Sequence, residues 1–315
     1  MKNRILIGVS SCLIGEKVRF DGGHKRDSYI CDLLANYVDF LPICPEVAIG
    51  MGVPRPAIRL VGDPKSPRLV EVKNVERDYT LAMLEFANET MQQLTHISGY
   101  ILKSQSPSCG LRRVKIYQGK GQAPLSGQGL YAKILEEQFP YLPIEEEGRL
   151  NDPRLRENFI ERLFVYHDWQ VTNEPGLTAH ALINFHTRHK LTLMAHHPSK
   201  SRELGQLVSR VDKKNIASLA PEYLYKLMNT LCYIATPNKH ANVLMHCLGY
   251  FKKILTKMDK QELVNLIEQY QQGLVPLVVP ITLINHHLIH YPQPYLEGQS
   301  YLSPYPAELM LRNHI

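Results

Sequence analysis

Apolar residues in the first half of the chain come in short runs that alternate with longer stretches of helical periodicity. Four runs are typical of short buried strands, at residues 4–10 (RILIGVS), 38–44 (VDFLPIC), 99–103 (GYILK) and 142–147 (LPIEEE). The stretches between them place apolar residues at helical spacing, over residues 27–38, 76–97 and 127–138. Strands that alternate with helices form a parallel sheet with helices on both faces. The pattern predicts an α/β, Rossmann-like N-terminal domain with a parallel sheet.

The second half of the chain carries helical periodicity alone. Five segments show it, at residues 151–169, 177–196, 222–235, 240–257 and 260–271. Asp259 is placed to cap the last of these helices, and a proline-broken tail follows from Val275. We predict a boundary near residue 150, with an α/β domain over residues 1–150 and an all-α C-terminal domain over residues 151–315.

The composition excludes several classes of protein. With 44% hydrophobic and 21% charged residues the chain can form real cores, so it is not a disordered tail. The charge balance is 36 − 30 = +6, which is mildly basic and compatible with a polyanionic partner. Six cysteines in 315 residues are too few for a disulfide scaffold. The cysteines are therefore expected to be reduced, and some of them to bind metal or take part in catalysis.

Two apolar stretches resemble targeting or membrane segments but are too short. The run before Cys12 extends only over residues 5–9, whereas a signal-peptide core needs roughly 7–15 apolar residues. The stretch at residues 274–284 contains two prolines and is shorter than the ~20 residues of a spanning helix. We expect a soluble, cytoplasmic protein that does not enter a membrane.

Three cysteines follow the predicted strands at equivalent positions. Cys12 follows the first strand, Cys44 ends the second and Cys109 follows the third. Ligands of an open parallel sheet bind beyond the carboxyl ends of its strands, so the three thiols are expected to converge there. They could form a zinc site with an open position, a redox pair plus one further thiol, or a 4Fe–4S cluster with one iron lacking a protein ligand. The remaining cysteines lie in helical patterns and are assigned as small buried hydrophobes, namely Cys31, Cys232 and Cys247.

Polar residues accompany the cysteines. Glu46 lies two residues after Cys44, and the loop before Cys109 contains three serines, Ser104, Ser106 and Ser108. A glycine-rich loop, DGGHKR from Asp21 to Arg26, is expected to arch over the end of the first strand. A carboxylate, hydroxyls and cations around an open metal position are what hydrolytic chemistry needs. The simpler interpretation of Glu46 is a carboxylate at a helix start.

The first half resembles the thiouracil desulfidase family in three motifs, SSCLIGEKVRFDGGHKRD, CPEVAIGMGVPRPAIRL and LKSQSPSCG, within residues 4–147. The resemblance implies a 4Fe–4S cluster held by Cys12, Cys44 and Cys109, whose fourth iron takes the sulfur of a thiolated pyrimidine. It also implies that Glu46 is the catalytic glutamate and Ser106 the catalytic serine. Four neighbouring polar residues are the candidates for substrate binding, namely Asp21, Arg26, Ser104 and Ser108.

The second half is similar to the YbgA-like helical family over about residues 160–313, through segments such as NFHTRHKLTLMAHHPSKSRELGQLV and ATPNKHANVLMHCLGYFKKIL. The fusion resembles bacterial desulfidases that remove sulfur from 4-thiouridine in transfer RNA. The resemblance implies that the helical domain recognises the RNA, and no obligate protein partner is inferred. The candidate phosphate contacts are Arg112, Arg113, Arg188, Lys190, Lys213, Lys214, Lys252 and Lys253.

We therefore expect a non-redox, hydrolytic tRNA 4-thiouridine desulfidase that yields uridine and hydrogen sulfide. In this reaction water attacks C4 of the base, Glu46 moves the proton and Ser106 orients the water or the base. Two alternatives stay open, a desulfidase of free thiouracil and a non-enzymatic iron–sulfur sensor that binds RNA. A metal site formed by His186 and His189 with His196 and His197 is also conceivable from their helical spacing, although polar core partners or RNA contacts suit these histidines better.

Overall fold

A computed structural model describes residues 4–118, 124–174 and 176–314 of the chain. The chain divides into two compact units, which we call the α/β unit, Met1–Asn151, and the helical unit, Asp152–Ile315. No helix among the described residues has both the length and the apolar character that a membrane span requires.

The α/β unit contains eight strands in its described residues. They are β1 (Ile5–Ser10), β2 (Val38–Ile43), β3 (Ile58–Val61), β4 (Arg68–Glu71), β5 (Gly99–Leu102), β6 (Val114–Tyr117), β7 (Leu125–Gly127) and β8 (Ile144–Glu146). One sheet has the order β2-β1-β5-β8, and each neighbouring pair in it is parallel. The prediction of an α/β domain with a parallel sheet is confirmed.

A second sheet was not predicted from the sequence. It has the order β4-β3-β6-β7, with β3 and β6 parallel and the two outer pairs antiparallel. Its strands are only three or four residues long. Each of them also includes a charged or polar residue, so it does not stand out as an apolar run in the way that the equally short β5 does.

The helices of the α/β unit are α1 (Pro45–Ala48), α2 (Thr80–Gln93) and α3 (Leu130–Gln138). The prediction of a helix over residues 76–97 was too long, because residues before Thr80 pair with β4 instead. The prediction of one regular helix over residues 27–38 was wrong. That segment forms a π turn at Tyr29–Leu33 and a 3₁₀ turn at Leu34–Asn36, because the chain must enter β2 at Val38 and tightens before it.

Close packing between β1 and β5 requires a glycine at position 8. Gly8 pairs with Tyr100 across the two strands, and a Cβ atom at Gly8 would lie 2.3 Å from Cδ2 of that tyrosine. The Tyr100 side chain is fully buried, with its hydroxyl 3.4 Å from that of Tyr131 on α3. The absence of a side chain on β1 therefore makes room for a ring that anchors the middle of the sheet.

The described helices of the helical unit are α4 (Pro153–Asn173), α5 (Ala179–His196), α6 (Pro198–Val208), α7 (Ile216–Leu231), α8 (Pro237–Tyr250), α9 (Lys257–Gln271), α10 (Val278–His290) and α11 (Pro294–Glu297). The prediction of an all-α domain is confirmed, but α6 and α10 were missed. Pro280 suggested a broken tail, yet it lies in the first turn of α10, where a missing N–H costs nothing. Helix α7 contains Pro221 and begins before it, at Ile216, earlier than the predicted start at residue 222.

The start of α9 corrects the predicted cap. The N-cap residue is Thr256, whose hydroxyl accepts the backbone N–H of Asp259 at 3.2 Å. The Asp259 carboxylate accepts the Thr256 hydroxyl at 2.8 Å and its backbone N–H at 3.3 Å in return. Asp259 is therefore the third residue of α9 and forms a capping box with Thr256, in which the backbone N–H groups of both residues are satisfied.

A charged network is buried in the helical unit. The guanidinium of Arg312 donates to Glu157 at 3.1 Å and to Glu161 at 3.5 Å, and its plane lies over the ring of Tyr301. The second oxygen of Glu161 is 2.7 Å from Nε2 of His196. The four charged or ionisable side chains, Glu157, Glu161, His196 and Arg312, line a cavity of about 290 Å³. Because each charge has a partner of opposite sign or a hydrogen-bond partner, the network is compatible with its burial.

The histidines of α5 have polar partners. Nδ1 of His186 lies 3.1 Å from the Tyr223 hydroxyl, and Nε2 of His189 lies 2.6 Å from Asp168. Throughout the described residues, no group of three or more His, Cys, Asp or Glu side chains is placed to hold a single metal ion. His186 and His189 thus serve as polar partners in the helical core.

Candidate active site at the carboxyl edge of the parallel sheet

Three neighbouring strands deliver the three cysteines to one cavity. Cys12 lies in a 3₁₀ turn directly after β1, Cys44 is the N-cap residue of α1 directly after β2, and Cys109 lies in the loop after β5. All three line a cavity of about 580 Å³. The order β2-β1-β5 makes these loops neighbours, although the cysteines are far apart in sequence.

Tight turns hold the cysteine loops. Gly15 ends the turn around Cys12 with φ +97°, a left-handed conformation that a side chain would strain. Gly110 donates its N–H to the carbonyl of Ser106 at 2.8 Å, and a Cβ atom there would lie 2.8 Å from the same carbonyl. Both cysteine positions are therefore fixed by backbone geometry rather than by side-chain packing alone.

Burial keeps the free thiols in their neutral form. Burial and the neighbouring Cys44 raise the pKa of Cys12 to about 11. Burial also raises the pKa of Cys44, although the backbone N–H of Val47 offsets part of the increase. The pKa of Cys109 is raised well above its ordinary value by burial, Glu46 and Cys44. A thiophilic cation bound here would displace these protons, because thiolates are its ligands.

Glu46 is held rigidly at the wall of the cavity. Its Oε2 accepts Nε of Arg55 at 3.1 Å and also Nη2 of the same guanidinium. Arg55 is almost fully buried and is itself fixed by the carbonyls of Val18 and Gly52, at 2.9 and 3.0 Å. The carboxylate therefore has one orientation, with Oε2 engaged and Oε1 directed toward the serine loop.

Two serines contact the other oxygen of Glu46. Oε1 lies 3.0 Å from the hydroxyl of Ser108 and 3.4 Å from that of Ser106. Ser106 lines the cavity and also accepts the backbone N–H of Cys109 at 3.1 Å. Ser108 is fully buried. Of the two, Ser106 is the hydroxyl that a bound molecule can reach.

A lysine in the cavity wall is held by a glutamate behind it, and the sequence did not single out either residue. Nζ of Lys103 forms an ion pair with Glu147 and donates to the Ser104 hydroxyl at 2.9 Å. Glu147 also accepts the backbone N–H of Ser104 at 2.7 Å. Lys103 and Ser104 line the cavity. The only signal in the sequence was the position of Lys103 directly after β5 and of Glu147 directly after β8, at the same edge of the sheet.

The glycine-rich loop and the residues just before it contribute other side chains to the cavity than those predicted. Arg19, Phe20 and Lys25 line the cavity, and the Arg19 guanidinium lies 5.6 Å from the centre of the Phe20 ring. The predicted Asp21 is exposed and accepts the Gly23 N–H at 3.0 Å.

Arg26, also predicted to bind substrate, forms an exposed ion pair with Asp32. Among the described residues, neither Asp21 nor Arg26 belongs to the cavity wall. Both use their side chains to shape the loop that carries Arg19 and Phe20.

The candidate RNA contacts are exposed in both units. Arg112 and Arg113 follow Cys109 in the α/β unit, and the other candidates belong to three stretches of the helical unit, as Arg188 and Lys190, Lys213 and Lys214, and Lys252 and Lys253. Arg188 is partly engaged, with an ion pair to Asp168 at 3.0 Å. Exposure leaves these cations accessible to a polyanion but does not select among them.

The other three cysteines differ in burial. Cys247 is fully buried, and burial raises its pKa to about 12. Cys31 is half-buried, with its thiol 3.5 Å from the carbonyl of Leu13. The prediction of burial is wrong for Cys232, which is exposed because it follows the last residue of α7 at the surface.

Comparison with known proteins gives a consistent assignment of the two halves. A family model described as 2-thiouracil desulfurase matches residues 7–147, and a model of the DUF1722 family, described as a protein of unknown function, matches residues 190–306. The uncharacterized protein YbgA of Escherichia coli (strain K12) is 33% identical over 165 residues, which cover 52% of this chain and 98% of that protein. The uncharacterized protein YbbK of Bacillus subtilis (strain 168) is 32% identical over 154 residues, which cover 47% of this chain and 99% of that protein.

A solved structure, described as the 4Fe–4S-dependent thiouracil desulfidase TudS, is 29% identical with a TM-score of 0.38, and the match covers 47% of this chain and 95% of that one. The two family models lie one after the other along the chain, the first within the α/β unit and the second within the helical unit. The chain is therefore a relative of YbbK through its first half, where the 2-thiouracil desulfurase model matches, and belongs to the YbgA family through its second half.

Proposed function

We propose that this protein removes sulfur from 4-thiouridine in transfer RNA, converting it to uridine and releasing hydrogen sulfide without net electron transfer. One observation carries the proposal: three cysteines, of which Cys12 and Cys109 are buried and Cys44 is half-buried, share a cavity with a carboxylate that two serine hydroxyls contact. The desulfurase family model over residues 7–147 supports the reaction class. The helical unit with its exposed lysines supports an RNA substrate, because a free base would need no such platform.

Cys12, Cys44 and Cys109 would hold a 4Fe–4S cluster that has one iron without a protein ligand. Thiolates are the ligands of such clusters, and a cluster is larger than an ion, so its cysteines need not meet at one point. The likeness of the three cysteine motifs to thiouracil desulfidases selects a cluster over other thiolate-bound groups. When bound, it supplies a Lewis acid for the substrate sulfur.

Glu46 is suited to move the protons of the reaction. Arg55 holds the carboxylate in one orientation through Oε2, which leaves Oε1 beside the Ser106 hydroxyl. A water that Ser106 orients would lose a proton to Glu46 as it adds to C4 of the base. The C4–S bond then breaks, and the sulfur leaves with the protons of that water. The sum is thiocarbonyl plus water to carbonyl plus hydrogen sulfide.

The mouth of the cavity suits a base that is turned out of a folded RNA. The Phe20 side chain is 43% exposed and offers a flat face on which a pyrimidine can stack. Arg19 and Lys25 line the same mouth and provide positive charge for the flanking phosphates. We infer that the thiouridine is flipped into the cavity, since its C4 is not accessible within a stacked helix.

The decisive experiment is anaerobic incubation of the iron-reconstituted protein with transfer RNA that contains 4-thiouridine. We expect loss of the thiouridine absorbance and an equal release of sulfide. Glu46→Gln should retain the iron of the wild type but lose turnover by at least ~100-fold, because a general base contributes about 10²–10⁴-fold. Full activity of this variant contradicts the role given to Glu46.

The same assay separates the rival functions. Equal turnover of free thiouracil and of the RNA would point to a free base as the substrate. Absence of turnover on both, in protein with a full iron content, would leave an RNA-binding sensor as the better explanation. Cys12→Ala, with its measured loss of iron, is the control that ties activity to the cysteine site.

A further inference from the structure

A second groove lies in the helical unit, between α6 and the C-terminal part of α7. It has a volume of about 520 Å³. Two tyrosines, Tyr225 and Tyr233, and two lysines, Lys200 and Lys226, belong to its walls. Nothing in the desulfidase reaction uses this groove.

The two tyrosines are unusually accessible. Tyr225 is 53% exposed and Tyr233 is 45% exposed, whereas Tyr223 on the same helix is fully buried. The Tyr233 ring is braced by the edge of the His197 ring, at 4.7 Å between centres, and its backbone carbonyl accepts Nδ1 of His196. An aromatic face that is both exposed and braced is ready to stack on a flat partner at little cost in conformational entropy.

Positive charge accompanies the aromatic faces. Nζ of Lys200 lies 5.5 Å from the centre of the Tyr233 ring. Lys226 is 2.7 Å from Glu222 one turn earlier on α7, in a partly exposed pair that a phosphate can replace at small cost. Glu203 is the acidic residue of the wall, and the amide of Asn229 adds a donor and an acceptor. The lining therefore combines cations, rings and an amide.

We propose that this groove binds a single-stranded segment of RNA, in which unpaired bases stack on Tyr225 and Tyr233 while Lys200 and Lys226 contact phosphates. A cationic groove with exposed rings is how proteins bind single strands without reading sequence. An acidic peptide would use the lysines but gain nothing from two aromatic faces. The inference rests on the proposed function in that it takes RNA as the partner, and it names where the helical unit holds it.

The test is binding of a fluorescent single-stranded RNA of twelve nucleotides, without thiouridine, measured by anisotropy at several salt concentrations. Tyr233→Ala and Tyr225→Ala should each weaken binding about 10-fold, since one base stack is lost. Tyr233→Phe keeps the ring and should bind like the wild type. The double variant Lys200→Ala, Lys226→Ala should reduce the slope of log affinity against log salt by about 1.4, or ~0.7 for each phosphate contact.

Matched controls lie outside the groove in the same unit. Tyr291→Ala removes another exposed tyrosine, and the pair Lys257→Ala, Lys260→Ala removes two other lysines. Both should bind RNA like the wild type, and circular dichroism should show that each variant is folded. If Tyr225→Ala and Tyr233→Ala both bind RNA like the wild type, the groove is not an RNA site. The same conclusion follows if polyglutamate competes for the groove as well as RNA does.

The readouts keep this inference apart from the proposed function. Tyr233→Ala should lose turnover of thiouridine-containing transfer RNA at low RNA concentration but keep turnover of free thiouridine. RNA binding that depends on the tyrosines, in a protein without desulfidase activity, would support the groove and contradict the proposed function. Turnover of thiouridine-containing transfer RNA that neither tyrosine substitution changes would support the proposed function and contradict the role of the groove.

Discussion

At the scale of single residues, the candidate active site depends on how Glu46 is held. Its partner Arg55 has a side chain that is only 2% exposed, and the two groups are joined by two N–H donors. A planar guanidinium can bind one carboxylate oxygen with two donors and still reach two carbonyls, which an ammonium cannot. Arg55 thus positions the carboxylate.

Replacing Arg55 by lysine tests this positioning. Arg55→Lys keeps the positive charge but loses the planar pair of N–H donors that holds Glu46. The carboxylate can then rotate away from the serine loop. We expect kcat on thiouridine-containing RNA to fall about 10- to 100-fold, with KM nearly unchanged. The measurement is steady-state kinetics on protein with the iron content of the wild type. A larger change in KM than in kcat would assign Arg55 to substrate binding instead.

At the scale of elements, the site is a product of strand order. The three cysteine loops meet because β1 lies between β2 and β5, and each loop starts where its strand stops. The close approach of β1 to β5 in turn depends on Gly8, which faces the buried ring of Tyr100. A change inside the sheet should therefore reach the loops at its edge.

Gly8→Ala is the variant that tests this coupling. The new methyl would lie 2.3 Å from the Tyr100 ring, so β1 and β5 must move apart. We expect a loss of about 1–3 kcal/mol in the free energy of unfolding, measured in urea, together with weaker iron retention. The control is Gly249→Ala on α8, where nothing lies within 4 Å of the added atom and a gain of up to ~1 kcal/mol is expected. Unchanged stability of Gly8→Ala would mean that the sheet absorbs the methyl.

At the scale of the whole molecule, buried ionisable groups of the helical unit link stability to pH. Burial and the nearby Arg312 hold the pKa of His240 at about 3, below its ordinary 6.5. Burial opposes ionisation of Glu161, but His196 and Arg312 outweigh it and lower its pKa from 4.5 to about 2. Burial, with the neighbouring Glu161, raises the pKa of Glu157, although Arg312 and His314 offset part of the increase. The lowered pKa values of His240 and Glu161 make the folded state less stable in acid than at neutral pH. The raised pKa of Glu157 disfavours the folded state at neutral pH, and this penalty is lost in acid.

The sign of the His240 effect follows from proton uptake. Between pH 6.5 and 3 the unfolded chain protonates this histidine and the folded chain does not. Stability is therefore full above pH 6.5 and declines as the pH is lowered, by about 3 kcal/mol at pH 4 for this group alone. His240→Gln should flatten the curve of unfolding free energy against pH in that window, whereas the exposed His290→Gln should not. Parallel curves for wild type and His240→Gln would contradict the depressed pKa.

Much of the architecture follows from the sequence alone. Short apolar runs predict the parallel strands, because strand and helix periods are local properties of the chain. The cysteines that follow these runs, Cys12, Cys44 and Cys109, are then predicted to lie at one edge of the sheet. Helical periodicity likewise predicts the all-α second half. Glu46 and the serines are predictable too, since they are within a few residues of those cysteines.

Tertiary structure alone decided the contacts that complete the site. Glu46 meets Ser108 across 62 residues and Lys103 meets Glu147 across 44, and no local pattern announces either pair. The direction of the backbone in the loop after β1 places Arg19 and Phe20 in the cavity wall. The same loop leaves Asp21 and Arg26 outside the cavity. The physical reason is common to all three: periodicity encodes which face of an element is buried, whereas long-range pairing determines which side chains then meet.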